Sequence, residues 1–428
     1  MFSKKIKKNL GKRYLKEKIF KSLGLFAIGF SVTFLIMLFS AVIYRGTPAF
    51  ISHKIALEVD LQLPKKSLQE SPLKVLEEKE NFDPINYRHV VKEALKAKFP
   101  EAETAIQKAN LYHLLSKIAH LELKEQVKKH PDLIGKKSIF WFSVSSDVDM
   151  FLKGKISADV ANQDRKIKDQ QILWIKTLQS EKAISSGFNW NFFKYADSSE
   201  PEIAGMAASI VGSVLTIIIF LLAAFPIAVM SAFYLEEFAP KNFITDIIEI
   251  GINNLAAIPS IIFGLLGLVV YLNFMNLPRS SAIVGGLTLS MLVLPVIIIA
   301  TRNAIKSIPP SIKEAAVAMG ASKVQVMFHH TFPLALPGIM TGTILAISRA
   351  LGETAPLLMI GMVAFIADAP HSFFDPTTVM PVQIYLWSDS PELGFAEKSA
   401  AAIMVLLLFL ISFNGVAIYL RKKFEKRW

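Results

Sequence analysis

The 428-residue sequence contains no cysteine. Without thiols the chain cannot form a disulfide framework, a thiolate metal site or a cysteine nucleophile. Charged residues are also scarce, at 19%, whereas 52% of the residues are hydrophobic. A soluble domain of this length needs more charge to cover its surface. The apolar excess lies in long runs with few charges, which predicts a protein that crosses a membrane several times.

Two further absences limit the chemistry of the chain. The phosphate-binding pattern Gly-x-x-x-x-Gly-Lys-Ser/Thr does not occur, so we expect no ATP hydrolysis by this chain. The histidines between the first two apolar runs lack the close pairing with carboxylates that a zinc site needs, and we expect no bound metal there. These histidines are His89, His113, His120 and His130.

Six apolar runs are each long enough to cross a hydrocarbon core of about 30 Å. They cover residues 23–44, 203–235, 247–273, 282–300, 338–366 and 399–420. The first run follows a lysine-rich stretch, 1–22, and could be a cleaved signal peptide. It spans roughly 22 residues, which is longer than the apolar part of most signals, and no small-residue cleavage site follows it. We therefore predict an all-α integral membrane protein with six transmembrane helices.

Basic residues near the ends of the runs orient these helices. The N-terminal segment 1–22 and the tail 421–428 are rich in lysine and arginine, and so is the loop 301–337. All three are therefore predicted to be cytoplasmic. The same topology places residues 45–203 outside, where the pattern indicates helices at 85–98, 101–130 and 165–182 and a strand at 138–144. This segment is predicted to be a mainly helical α+β extracytoplasmic insertion, whose role no motif reveals.

The loop 301–337 contains two short helices with their own start and stop signals. Two prolines precede Ser311, which is placed as an N-cap with Glu314 three residues later as a capping box. Gly320 is suited to end the helix in a left-handed conformation. Ser322 and Gln325 repeat the capping pattern, which predicts a second helix running toward residue 333. A slim, rigid helix here fits either docking to a partner or a simple connector.

The sequence Glu314-Ala315-Ala316 followed by Gly320 resembles the EAA loop of ABC importer permeases. In that family the loop forms the coupling helix that inserts into a groove of the ATPase. The family pattern usually ends in Ile-x-Leu-Pro, whereas this chain has His-Thr-Phe-Pro at 330–333. This departure concerns the second half of the loop only. The match at residues 314–320 implies that Glu314, Ala315, Ala316 and Gly320 couple the chain to the ATPase.

The fifth run carries charges at a depth where charges are costly. Arg349 lies roughly 16 Å along the helix from residue 338, near the middle of the membrane. Arginine at such depth normally faces the protein interior or an aqueous path. Glu353 is one helical turn away and could pair with it, so a structural ion pair is one interpretation. The other is that Arg349 offers its forked donors to a passing oxyanion, with Glu353 tuning it and Thr354 adding a neutral donor.

The stretch 349–356, Arg-Ala-Leu-Gly-Glu-Thr-Ala-Pro, resembles phosphate importer permeases of the PstA type. Together with the EAA loop, this resemblance covers residues of about 203 to 420. It implies a type I ABC importer permease domain, 204–420, in a bacterial inner membrane. It also implies a homologous second permease, an ATPase dimer that binds ATP and magnesium, and a periplasmic phosphate-binding protein as partners, with no cofactor on this chain.

Other assignments stay open from the sequence. Arg302 lies at the cytoplasmic end of the fourth run and could line the inner mouth of the path, or it could serve orientation alone. Sulfate or molybdate could replace phosphate as the cargo. A membrane sensor with an extracytoplasmic ligand domain is a further alternative, although a sensor needs a folded cytoplasmic output domain and none is indicated.

Overall fold

The structure is a computed structural model that describes residues 2–61, 86–157, 166–363 and 365–424. It begins with one long helix, α1 (Phe2–Gly46), so the basic segment 1–22 and the first apolar run form a single helix. A short 3₁₀ turn, Thr47–Phe50, leads from α1 into the first strand.

The described residues between Ile51 and Phe188 form a separate insertion domain. Its three-stranded antiparallel sheet has the order β2-β1-β3, with β1 (Ile51–Asp60), β2 (Lys137–Ser143) and β3 (Ile184–Phe188). Leu57 of β1 is opposite Phe140 of β2, and alternate residues of β1 are buried. Five helices accompany the sheet: α2 (Tyr87–Lys98), α3 (Ala105–Tyr112), α4 (Ala119–Lys129), α5 (Ser146–Leu152) and α6 (Asp169–Ser180).

The sequence prediction for this domain was close for some elements and wrong for others. The predicted helices at 85–98 and 165–182 and the predicted strand at 138–144 correspond to α2, α6 and β2. The predicted helix 101–130 is instead two helices, because the chain turns between Tyr112 and Ala119 and Leu115 pairs with Val144 beside the sheet. Strands β1 and β3 were not predicted.

The rest of the described chain is helical. A one-turn helix, α7 (Asn191–Lys194), precedes the apolar helices, and three π-helical stretches continue or precede them: Tyr234–Phe238, Leu268–Phe274 and Met327–Thr331. The remaining helices are α8 (Ala207–Phe233), α9 (Phe243–Ala257), α10 (Ser260–Gly267), α11 (Ala282–Lys306), α12 (Pro310–Ala318), α13 (Lys323–Val326), α14 (Phe332–Gly352), α15 (Ala355–Met359), α16 (Met380–Asp389) and α17 (Leu393–Phe424).

Among the described residues, five helical stretches are long and apolar enough to cross a membrane, and one bent pair could supply a sixth span. The bent pair corresponds to the predicted span 247–273. Its two parts meet at 102°, because Pro259 cannot continue the hydrogen-bond ladder of α9. The predicted span 338–366 is also broken: α14 ends at Gly352, Glu353 is extended, and α15 begins at Ala355.

The membrane core is built by close approach of small residues. A Cβ atom added to Gly338 of α14 would lie 2.6 Å from the Cβ of Ala304 in α11, and Gly342 meets Ala300 in the same way. Helices α11 and α14 therefore run antiparallel, and each step forward in α14 is a step back in α11. Small residues at such a crossing let the two backbones pack closely.

Candidate functional site

The loop between α11 and α14 forms the short helix that the sequence predicted. Helix α12 ends in a Schellman motif: Gly320 has a φ of +89°, its N–H donates to the carbonyl of Val317, and the N–H of Ala321 donates to the carbonyl of Ala316. The reciprocal capping box of Ser322 and Gln325 is also present. The predicted box of Ser311 with Glu314 is wrong, because the helix already starts at Pro310 and no side chain caps it.

Helix α12 presents an uncovered surface to the surroundings. Glu314, Ala315 and Val317 are exposed, and Met319 is 89% exposed, whereas Ala316 is buried against the rest of the loop. Exposed apolar side chains in a row on a rigid, capped helix are typical of a surface that contacts another protein. Of the residues that the sequence assigned to coupling, Glu314, Ala315 and Gly320 are exposed and Ala316 is not, and their coupling role stays a prediction.

Ion pairs connect this loop to three helices. Lys313 of α12 pairs with Glu237 in the π-helical extension of α8, with 2.5 Å between Nζ and Oε1. The neighbouring Glu236 accepts from Nε of Arg302 at 2.5 Å, and Glu249 of α9 pairs with another guanidinium nitrogen of Arg302. A push on α12 would therefore reach α8, α9 and α11 through short polar contacts.

Arg302 does not open onto a path in this structure. Its side chain is buried, and two carboxylates already occupy its donors. A guanidinium that two carboxylates neutralise has little capacity left for a transported anion. Its position fits a structural role, holding α8, α9 and α11 together at the α12 end, better than the sequence expectation of an inner-mouth residue.

Arg349 lies near the middle of the apolar bundle. Since Gly342 faces Ala300 and the helices are antiparallel, Arg349, seven residues further on, is level with Val293. Helix α11 extends from residue 282 to 306, so Val293 is within one residue of its midpoint. The side chain of Arg349 is nevertheless 42% exposed on this chain, and its Nε lies 3.6 Å from Oε1 of Glu353. The ion pair is therefore loose, and part of the arginine side chain is left uncovered by this chain.

The backbone around Arg349 is interrupted on two neighbouring elements. Glu353 and Thr354 separate α14 from α15, and α15 packs on α10, the second half of the bent pair. Gly264 makes that contact possible, because a Cβ there would lie 2.7 Å from Cα of Pro356. Non-helical backbone at membrane depth is tolerated where protein buries it or where it lines a cavity.

The structure adds Asn414, which the sequence analysis did not select. Its Oδ1 accepts a hydrogen bond of 2.9 Å from the hydroxyl of Ser348, the residue before Arg349. This contact fixes α17 against α14 next to the arginine. The signal in the sequence was an asparagine inside the last apolar run, which is a weak indication on its own.

A second polar cluster, the junction network, joins the insertion domain to the start of α17. Lys153 pairs with Asp149 at 2.7 Å and with Glu397 at 3.0 Å, and Nδ1 of His53 lies 2.8 Å from Asp149. Lys398 is buried and donates to the carbonyl of Ala204. Burial disfavours the carboxylate of Asp149, but the hydrogen bond from His53 and the charge of Lys153 outweigh it and hold its pKa below the usual value.

The sequence analysis missed the junction network. Its contacts link positions far apart in the chain, since Lys153 and Glu397 are separated by 244 residues. The available signals were Asp149 and Lys153 one helical turn apart, and the adjacent charges Glu397 and Lys398 at the start of an apolar run.

Comparison with known proteins gives two family matches. Residues 203–426, more than half of the chain, match the family described as binding-protein-dependent transport system inner membrane component. Residues 7–162 match a domain of unknown function, DUF3333.

The similar curated proteins are permeases. The chain is 30% identical over 260 residues to a probable ABC transporter permease protein, YqgI, of Bacillus subtilis, with 57% of this chain and 88% of that protein covered. It is 30% identical over 226 residues to the phosphate transport system permease protein PstA of Yersinia pestis, with coverage of 51% and 74%. It is 32% identical over 235 residues to the permease protein PstC of Haemophilus influenzae, with coverage of 49% and 73%.

Among solved structures, an inward-facing form of the MetNI methionine ABC transporter aligns with 52% of this chain and 98% of that chain, at 17% identity and a TM-score of 0.41.

Proposed function

We propose that phosphate is the cargo of this chain. The chain belongs to the family of binding-protein-dependent transport system inner membrane components and is a PstA-type permease subunit of an ABC importer. Membership makes the chain a multi-pass membrane protein that works with a second permease, an ATPase and a periplasmic binding protein. The identity of the anion and the role of single residues are parts of the proposal.

The observation that carries the proposal is the placement of Arg349. It is level with the middle of α11, its side chain is 42% exposed, and its contact with Glu353 is loose. A charge at this depth is costly unless it faces a protein partner or water. In the assembled importer that exposed side would face the second permease, so the guanidinium would meet the cargo between the two subunits. Its fork of donors suits the paired oxygens of phosphate.

The nearby groups have supporting roles in this proposal. Glu353 pairs loosely with Arg349, which lowers the cost of the charge and keeps the anion from being held too tightly. Thr354 lies in the break between α14 and α15 and supplies a neutral donor. This chain would bind no cofactor of its own.

The coupling loop would transmit the work of ATP hydrolysis. ATP and magnesium would be bound by a partner ATPase dimer that receives α12, with Glu314 exposed at its surface. Lys313 and the carboxylates of Glu236 and Glu237 would pass the motion to α8, α9 and α11. The second permease would be homologous, and both chain termini would lie in the cytoplasm, with the insertion domain outside.

The proposal is tested by uptake of labelled phosphate and labelled sulfate in cells that lack the gene and carry a plasmid copy. Arg349→Gln should abolish phosphate uptake while the protein remains at parental abundance in the membrane, because the side chain is 42% exposed and its ion pair with Glu353 is loose. Arg349→Lys should recover only part of the uptake, since an ammonium cannot offer the same fork of donors.

Arg302→Gln is the matched control. It removes the buried arginine at the cytoplasmic end of α11, whose donors pair with Glu236 and Glu249. We expect it to lower the amount of folded protein rather than the uptake per molecule. Parental phosphate uptake by Arg349→Gln would refute the role of Arg349. If cells that lack the gene are defective in sulfate uptake alone, the cargo is sulfate rather than phosphate.

A further inference from the structure

The described residues of the insertion domain form an open groove. The groove has a volume of about 330 Å³ and lies between α2, the turn before α4, and the first turn of α4. Its floor is apolar and is made by the edges of Val91, Leu95, Leu115 and Ala119, which all belong to the core of the domain. A volume of this size falls within the range of pockets that hold small organic molecules.

The rim of the groove has one sign of charge. Arg88, Lys92 and Lys117 line it together with His113 and His120, and no carboxylate is among the described residues that line it. Burial and the charge of Arg88 lower the pKa of His120, so a proton is disfavoured there. A concave surface with low-dielectric walls and cations of one sign concentrates a positive potential and attracts anions.

Two of the cations are already oriented. The ammonium of Lys92 lies 4.8 Å from the centre of the Tyr112 ring, which holds the side chain beside the groove. Lys117 pairs with Glu200, a residue of the segment that leads from α7 into α8. Within the described part of the chain, no carboxylate pairs with Arg88. Among the described residues, the groove thus offers one guanidinium without a carboxylate partner and two cations whose positions are set.

We propose that this groove binds a small organic anion, with a phosphate, sulfonate or carboxylate group on Arg88 and Lys92 and an apolar or aromatic body on the floor. An inorganic anion would leave the apolar floor in contact with water, and a neutral apolar molecule would leave the cations unmatched. The bound anion also competes with Glu200 for Lys117, so occupancy is linked to the segment that enters α8. This site is separate from the membrane path and does not depend on which anion is imported.

Phenyl phosphate is the probe that combines the two features. Its binding is measured by isothermal titration calorimetry on the full chain in phosphatidylcholine nanodiscs. The chain carries Arg349→Gln throughout, so that the proposed membrane site does not contribute. Binding should be tighter than for inorganic phosphate and for benzyl alcohol, each of which supplies only one of the two features.

Three variants decide between a built site and a diffuse positive surface. Arg88→Gln with Lys92→Gln should weaken phenyl phosphate binding by roughly tenfold or more, because two charged hydrogen-bond donors are lost. Lys128→Gln with Lys129→Gln removes the same charge from the exposed end of α4 and should leave the affinity unchanged. Glu200→Gln should tighten binding, because Lys117 then has no competing carboxylate.

The double variant at Arg88 and Lys92 should lose affinity, whereas Glu200→Gln should gain it. Because a misfolded protein would not gain affinity, folding defects cannot produce both results. The proposal would be overturned if the Arg88/Lys92 and Lys128/Lys129 double variants lost equal affinity for phenyl phosphate. It would also be overturned if Glu200→Gln left that affinity unchanged. The absence of phenyl phosphate binding at millimolar concentration would overturn it too. Replacing phosphatidylcholine with phosphatidylglycerol distinguishes the sources: loss of phenyl phosphate binding then assigns the site to a lipid headgroup, and retention assigns it to a soluble anion.

Discussion

Lys153 is the residue on which the attachment of the insertion domain to α17 depends most directly. Its ammonium lies between Oδ2 of Asp149 at 2.7 Å and Oε2 of Glu397 at 3.0 Å, and the side chains of Lys153 and Glu397 are only 8% and 7% exposed. Replacing Lys153 with Met keeps a long unbranched side chain but removes the ammonium that lies between the carboxylates of Asp149 and Glu397. Removing one partner of a buried ion pair costs about 3–5 kcal/mol.

That cost should appear as easier local opening of the junction. A penalty of about 3 kcal/mol raises the opening equilibrium roughly a hundredfold, since each 1.4 kcal/mol is a factor of about ten. Hydrogen–deuterium exchange of the amides of α5 (Ser146–Leu152) measures this equilibrium when closing is fast. We expect exchange about one hundred times faster in Lys153→Met than in the parent, with β1 and β2 much less affected.

A neutral replacement of the whole cluster separates lost charge from lost packing. Lys153→Met combined with Asp149→Asn and Glu397→Gln removes the cation and both carboxylates, and neutral substitutes for a buried ionic cluster are often tolerated. Exchange of α5 should return most of the way to the parental rate. Lys128→Met, at an exposed lysine of α4, should not change it. Parental exchange rates in Lys153→Met, or no recovery in the triple variant, would refute the electrostatic account of the junction.

Two further predictions concern the coupling loop and the insertion domain. Gly320→Val should strain the left-handed turn by about 1–2 kcal/mol and reduce phosphate uptake per ATP hydrolysed. Asparagine tolerates this conformation, so Gly320→Asn should stay close to the parent. Equal coupling in both variants would contradict the role of the turn. Burial raises the pKa of Glu122 despite hydrogen bonds from the backbone and hydroxyl of Ser143. The folded state therefore holds the proton on the Glu122 carboxyl more tightly than the unfolded state does. The folded protein loses stability as the pH rises through the raised pKa of Glu122. Glu122→Gln should therefore gain thermal stability relative to the parent as the pH increases from about 4 to about 8, and a difference in midpoint that shrinks over this range would refute the assignment.

The sequence predicted the features that depend on local geometry. The left-handed Gly320 and the capping box of Ser322 and Gln325 need only residues within one turn of each other, and the structure has both. The depth of Arg349 also followed from counting along one helix. The start of α12 was misplaced by two residues because proline is favoured in the first turn, and Ser311 then falls inside the helix.

Features that depend on tertiary contacts could not be predicted in the same way. The 102° bend before Ser260 needs α10 to pack on α15, where Gly264 lets the backbone of Pro356 approach. A proline in an apolar run is compatible with a kinked straight span as well as with this bend. The paired state of Arg302 was equally hidden, because its carboxylates come from two other helices.

The insertion domain is tied to the start of α17, where Lys153 pairs with Glu397. Helix α17 in turn contacts α1, since a Cβ added to Gly46 would lie 2.8 Å from the backbone nitrogen of Ala401. Lys398 of α17 donates to the carbonyl of Ala204 before α8, and Phe192, Trp387 and Phe395 form an apolar layer with residues at the starts of α8 and α17.

The broken pairs α9–α10 and α14–α15 contribute no residue to this apolar layer or to the junction network. The junction network and the interrupted backbone near Arg349 are therefore built from different residues, although α17 contacts both, since Asn414 accepts a hydrogen bond from Ser348. The broken pairs already contain gaps in their hydrogen-bond ladders, and we expect a change of shape to cost least there. If Arg349 selects the anion as proposed, Lys153→Met should leave the ratio of phosphate uptake to sulfate uptake at the parental value, and a changed ratio would contradict this separation.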